Sequence, residues 1–224
     1  KYYDKYAKAT EKPNFDIPIP ADMDAAKVLN TYIEAIGGKG KLDGVNSVII
    51  TAEAELQPGM MMNLEMKKTS KNQFSQEITA AGMSVMKTVM DGQSGYVVMQ
   101  GQKTDMSEDD IKKSIAESSP FPEVNYLNAG NATLERIEDV DGEKAYKIKV
   151  SDELSLFYSM KTGLKIKEEK ATPMGSSSLF YADYKDVGGI KFPFKLSQTM
   201  GPRKFDFAVK EIKVNEGVSD ADFD

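Results

Sequence analysis

The 224-residue chain has no histidine, no cysteine and no tryptophan. Without His or Cys it cannot build a His-containing triad, a Cys–His dyad, a zinc site of the usual nitrogen and sulfur ligands, or a CxxC redox pair. Positive charge is also in short supply. Lys and Arg number 29 against 35 Asp and Glu, giving a net charge of −6. A surface of that sign disfavours nucleic acid, whose phosphates need clustered cations. No apolar run approaches the roughly 18 residues of a transmembrane helix. The composition therefore announces no chemistry, and by itself it names no function.

Proline is sparse, but three of the nine residues fall early, at Pro13, Pro18 and Pro20. They force extended backbone, so residues 1–20 are expected to be an extended linker from an upstream region. The chain begins at Lys1 rather than Met, as a mature or excised fragment would. The remaining span, 21–224, is expected to form one domain. Its first helix should be capped by Asp22 or Asp24 and stopped at Gly37-Gly38. Val28, Leu29, Tyr32, Ile33 and Ile36 form one apolar stripe along that helix.

From Ser47 the hydrophobic period changes from 3.6 to two. Strands are predicted over 47–56, 60–68, 73–79, 83–90 and 94–99, then 133–140, 144–150, 154–160, 164–171, 177–185, 190–200 and 203–214. Ser107 opens a predicted helix to about Ser118, ended by Pro120 and Pro122, and Val124–Leu127 adds a helical turn. Asp141-Gly142 reads as a hairpin turn. In 164–169, Leu164 and Ile166 should face one way, with Lys165, Lys167 and Glu169 facing the other. An open sheet of this size curls. The fold class is therefore mainly antiparallel β (α+β): a strongly curved, incomplete β-barrel of about 10–12 strands, with helices in its concave face.

Several local motifs have simpler structural readings. Gly37-Gly38-Lys39-Gly40-Lys41 lacks the Ser or Thr of a phosphate loop and follows a helix, so it reads as a helix stop. Asp139–Gly142 resembles half a calcium loop without the later ligands, and a turn explains it. Glu168 and Glu169 are adjacent on a strand and must point to opposite faces. The acidic tail Asp220–Asp224 reads as a solvated terminus.

Methionine is over-represented in one region, where nine of the 13 residues lie between Met60 and Met106. Methionine is flexible and polarizable and suits surfaces that re-pack around variable apolar ligands. Strand alternation places Met60, Met62, Leu64 and Met66 on one face, and Met86 and Met90 share another. Leu154, Leu156 and Tyr158 share a face of a later strand. Together these nine residues are the candidate lining of a hydrophobic groove, with ordinary core filling as the alternative.

Two resemblances follow from these residues. Tyr32-Ile33-Glu34-Ala35-Ile36-Gly37-Gly38 with Leu42, Met90-Asp91-Gly92, Gly163-Leu164-Lys165-Ile166-Lys167, and Tyr184 through Gly189-Ile190-Lys191-Phe192-Pro193 resemble outer-membrane lipoprotein-sorting proteins of the LolA/LolB-like family. That resemblance covers about residues 22–224. It implies a half-barrel with an apolar cavity, a lipid or lipoprotein acyl chain as ligand, and the periplasm or cell envelope of a Gram-negative bacterium as location. It transfers no binding residue. In addition, Lys1-Tyr2-Tyr3-Asp4-Lys5-Tyr6 followed by Glu11-Lys12-Pro13 resembles the exit from a pitrilysin/insulinase-type zinc peptidase. This implies the alternative role of an accessory domain, with an upstream peptidase domain as partner and catalysis outside this chain.

Overall fold

The computed structural model describes residues 2–3, 9–10, 17–172, 175–200 and 203–224. Of the expected linker, and of the residues that resemble a peptidase exit, it describes only β1 (Tyr2–Tyr3), β2 (Ala9–Thr10) and 17–20; the rest lie outside the described residues. β1 and β2 pair antiparallel, and Ile17 bridges Ile137.

α1 (Ala25–Ile36) begins where the Asp24 carboxylate accepts the Lys27 N–H at 2.8 Å. It ends at Gly37, whose φ of +145° brings its Cα against the Gly189 carbonyl; a Cβ there would lie 2.7 Å from that oxygen. Gly38 then opens a further helical turn, α2 (Lys39–Leu42). Lys41, the last lysine of the glycine-rich segment, donates to the Gly189 carbonyl at 3.0 Å. Its position is that of a structural tie between α2 and a distant hairpin.

Thirteen strands form one antiparallel sheet among the described residues. A first meander comprises β3 (Ser47–Gln57), β4 (Met60–Thr69), β5 (Phe74–Ala80), β6 (Met83–Met90), β7 (Gly95–Met99) and β8 (Gln102–Asp105). Then come α3 (Glu108–Ser118), capped by Ser107, and α4 (Pro122–Ala129). The second meander is β9 (Thr133–Val140), β10 (Glu143–Lys149), β11 (Leu154–Ser159), β12 (Lys165–Thr172), β13 (Gly175–Val187), β14 (Ile190–Met200) and β15 (Arg203–Val214). β15 pairs with β3 and joins the two meanders, while β8 and β9 form the two edges, so the sheet is not closed into a barrel. Asp141 and Gly142 carry φ of +52° and +87°, as a two-residue hairpin turn requires, and the Asp139 carboxylate accepts the Gly142 N–H at 2.7 Å.

The sheet curls around its helices. Register shifts in five ladders, including β3–β15, β11–β12 and β5–β6, supply the bends. One hydrophobic core contains the whole stripe of α1 and buried residues from both meanders, from Met62 and Leu64 on β4 to Leu156 and Tyr158 on β11. A smaller cluster, Val140, Ala145 and Phe157, packs Ile166 and Phe180 on the opposite side of the second meander.

Three features differ from the sequence-based expectation. β8 is a thirteenth strand with no apolar residue, all four of its residues exposed. It forms because the turn Gln100-Gly101, both at positive φ, returns the chain onto β7. A register shift at Phe157/Tyr158 breaks the alternation expected in 164–169. Lys165 is buried in the core and Ile166 packs with the second cluster, beside which the Lys167 ammonium lies 4.7 Å from the Phe157 ring. Finally, the acidic tail is docked. It forms a 3-10 helix, Asp220–Phe223, with Phe223 buried; Asp222 pairs with Lys67 at 2.6 Å, and the Tyr96 hydroxyl donates to the Asp224 carbonyl at 2.9 Å.

Candidate functional site

A cavity of about 430 Å3 lies between the curved sheet and the helices. β3–β6 form one wall, β12–β15 the other, and Tyr32 of α1, Pro120–Glu123 and Tyr126 form the cover. The first wall is largely apolar, with Ile50, Leu64, Met66, Ile78 and Met90. Leu179, Phe192, Leu196 and Phe207 continue it across the second meander. Phe121 closes this side, its ring 5.8 Å from that of Phe192. Apolar walls with a few convergent polar groups are the usual make-up of a small-molecule site, and the volume falls within the usual range of about 300–1,000 Å3.

Lys68, Glu117, Glu123, Lys165, Glu168 and Lys170 form one mutually interacting polar end, and Gln76, Thr88, Ser177, Gln198 and Lys191 also line the cavity. Glu123 of α4 is 1% exposed and Lys165 is 8% exposed, and they pair at 2.7 Å. The Tyr158 hydroxyl lies 3.5 Å from the same glutamate oxygen. Glu168 stands 4.0 Å from Lys165 and accepts the Tyr181 hydroxyl at 3.0 Å. The Tyr184 hydroxyl donates to the Lys165 carbonyl at 2.8 Å. Lys170 pairs with Glu117 of α3. Lys68 of β4 donates to the Glu117 carbonyl at 2.8 Å, with its ammonium 5.8 Å from the Phe74 ring centroid.

This packing tunes the groups differently. Burial disfavours the Lys165 ammonium, but Glu123, Tyr181 and Glu168 outweigh it and hold the side chain charged well above the ordinary lysine range. Burial also disfavours the Lys68 ammonium, Lys165 repels it, and Glu168, Glu123 and Glu117 compensate only in part, so its pKa falls to about 8. Burial, followed by nearby glutamate charge, raises Tyr32, Tyr126 and Tyr158, which remain neutral hydrogen-bonding groups. Lys68 and Lys165 would be about 24 Å apart across five ladder steps of a flat sheet. Their mutual effect is a direct consequence of curvature.

A second, larger cleft of about 860 Å3 adjoins the first and shares Met106, Ser114, Glu117, Tyr126 and Lys170 with it. Its rim includes Asp105, Asp110, Asp152 and the exposed pair Lys113–Glu153 at 2.9 Å. The smaller cavity, with its largely apolar wall between sheet and helices, is the better candidate for an apolar ligand. The larger cleft lies against α3.

The nine groove candidates fall at different depths. Leu64, Met66 and Met90 line the 430 Å3 cavity. Met62, Leu156 and Tyr158 are buried in the main core without lining it, and Leu154, in the same core, borders the larger cleft. Met60 is half-buried at the start of β4, its sulfur 3.7 Å from the Gln57 amide nitrogen, and Met86 is half-buried on β6. Met61, Met83 and Met99 are exposed. Sequence reasoning missed the polar end altogether. Lys68 carried a readable signal, because it continues the Met62, Leu64 and Met66 face at the strand period. Glu123 and Lys165 carried none, since a bulge and a helix orientation bring them together.

No protein-family model matches the sequence, and no curated protein matches it. Solved structures do. A LolA superfamily protein, NE2245 from Nitrosomonas europaea, is 14% identical with a TM-score of 0.57; the match covers 90% of this chain and 98% of that one. A DUF1329 family protein from Desulfovibrio piger is 13% identical with a TM-score of 0.53, covering 88% and 96%. A Vibrio parahaemolyticus domain described as an outer-membrane lipoprotein-sorting protein is 10% identical with a TM-score of 0.53, covering 88% and 95%. The fold of this chain is therefore LolA-like.

Proposed function

Starting from that LolA-like fold, we propose that the chain is a non-catalytic binding domain of the Gram-negative cell envelope that holds an acyl chain or comparable apolar ligand in its concave cavity. One observation carries this reading: a 430 Å3 space whose wall of Ile50, Leu64, Met66, Ile78 and Met90 is left unfilled by the core that surrounds it. The names of the similar structures, a LolA superfamily protein and a lipoprotein-sorting domain, support the envelope setting and make lipoprotein acyl chains a candidate cargo. The nine groove residues belong to this proposal in graded roles. Leu64, Met66 and Met90 would touch the ligand, while the others shape the wall behind them or the approach to it. The accessory role beside a peptidase is carried by residues 1–13 alone.

The test is uptake of the neutral probe N-phenyl-1-naphthylamine by the 224-residue chain, together with mass spectrometry of lipid extracted from the purified protein. Met66 is half-buried on the cavity wall, and Met66→Asp would set a carboxylate against the apolar ligand. Uptake should weaken by about tenfold or more. A lipid-free protein that takes up no probe, or a folded Met66→Asp variant that binds normally, would refute the proposal.

A further inference from the structure

The inward face of β4 changes character within one strand. Met62, Leu64 and Met66 are followed at the same period by Lys68, which pairs laterally with Val48 and Phe74. Lys68 is therefore the point at which the apolar wall meets the polar end. The neighbouring lysines are matched, Lys165 by Glu123 and Lys170 by Glu117, whereas Lys68 has no carboxylate within 4.0 Å among the described residues. One of its three N–H groups goes to the Glu117 carbonyl, leaving two donors without a described hydrogen-bond acceptor. The three glutamates are already engaged, Glu123 and Glu117 by lysines and Glu168 by Tyr181 and Lys165.

From this geometry we infer that Lys68 is the head-group site for a single-chain amphiphile ending in a carboxylate, with the chain running along Met66, Leu64, Ile78 and Met90. The inference rests on the acyl-binding reading above and adds the ligand's polar end. A cation at the end of an apolar wall complements a molecule with an anion at the end of an apolar chain. A monoanion fits better than a dianion, because Glu117, Glu123 and Glu168 surround the same space and would repel additional negative charge. A charge-assisted hydrogen bond to a partly desolvated ammonium corresponds to about ten- to hundredfold in affinity.

The experiment is displacement of N-phenyl-1-naphthylamine by dodecanoate and by methyl dodecanoate, which share a chain and differ in head-group charge. The expected result is about ten- to hundredfold preference for the acid in the wild-type chain, lost in Lys68→Met, where the acid and ester affinities should converge. Equal binding of acid and ester overturns the head-group site and leaves the apolar cavity standing. Failure of both ligands and of the probe overturns the cavity reading and this one with it. A preference that survives Lys68→Met also overturns the assignment, with the exposed Lys191 at the cavity border as the next site to test. Should Lys68→Met lose ester binding too, a pH titration of the wild type decides. The acid's advantage should decline above pH 8 as the free-protein ammonium, depressed first by burial and then by Lys165 and partly restored by Glu168, Glu123 and Glu117, loses its proton. A constant acid-to-ester ratio through that range overturns the inference.

Discussion

Removing either member of the Glu123–Lys165 pair should expose how the cavity's polar end is held together. The two charges are 2.7 Å apart, and at an effective dielectric of about 20 their Coulomb attraction is about 6 kcal/mol. Glu168, at 4.0 Å from the same ammonium, supplies about 4 kcal/mol on the same basis. Glu123→Leu therefore leaves Lys165 with a second carboxylate and with the Tyr181 ring at 4.7 Å. Breaking a buried pair costs about 3–5 kcal/mol, and the retained partner puts Glu123→Leu near the lower end, at about 3 kcal/mol. Lys165→Met should cost about 4 kcal/mol, because Glu123 is then left, among the described residues, with the Tyr158 hydroxyl at 3.5 Å. The double variant should lose no more than about 1 kcal/mol, since a buried ion pair replaced by apolar groups leaves no charge unmatched. Urea denaturation of the four proteins measures the cycle, and midpoint shifts in thermal unfolding of about 6–16 °C for the single variants provide a check. Single variants that each lose under about 1 kcal/mol, or a double variant as unstable as the sum of the two, would refute the reasoning.

Lys68 and the tail give two more tests. The Lys68 pKa is depressed to about 8, so between pH 8 and about 10.4 the unfolded chain retains a proton that the folded chain has released. Stability should therefore rise with pH through that window, by at most about 1.4 kcal/mol per unit. Subtracting the Lys68→Met profile isolates this contribution, and a flat difference between the two proteins would contradict it. Phe223 is 3% exposed, so Phe223→Ala should cost about 3 kcal/mol by urea denaturation and speed amide exchange in β5, against which the tail helix packs. Unchanged exchange in β5 would mean that the tail does not stabilise the sheet.

Much of the architecture was legible because it repeats a local rule. The stripe on α1, the Asp24 and Ser107 caps, the Asp141-Gly142 turn and twelve strands all follow from period, capping and turn chemistry, each decided within a few residues. Alternation along β4 carries a signal for Lys68 at the period of Met62, Leu64 and Met66, although the groove candidates read from the sequence stop at Met66. β8 carries no apolar period, and it exists because the β7–β8 turn offers its backbone a ladder. Lys165 turns inward at a bulge that side-chain alternation cannot register. Phe223 and Asp222 find partners 155 residues away, for Asp222, or farther up the chain than any local pattern reaches. The polar end of the cavity depends on the same long range: Glu123 comes from a helix, Lys165 from β12 and Lys68 from β4. Five sheet positions separate the last two, and only the curl of the sheet, set by bulges and by burial of α1, brings them around one space. Sequence periodicity assigns a side chain to a face, but which faces meet depends on curvature, a property of the whole sheet.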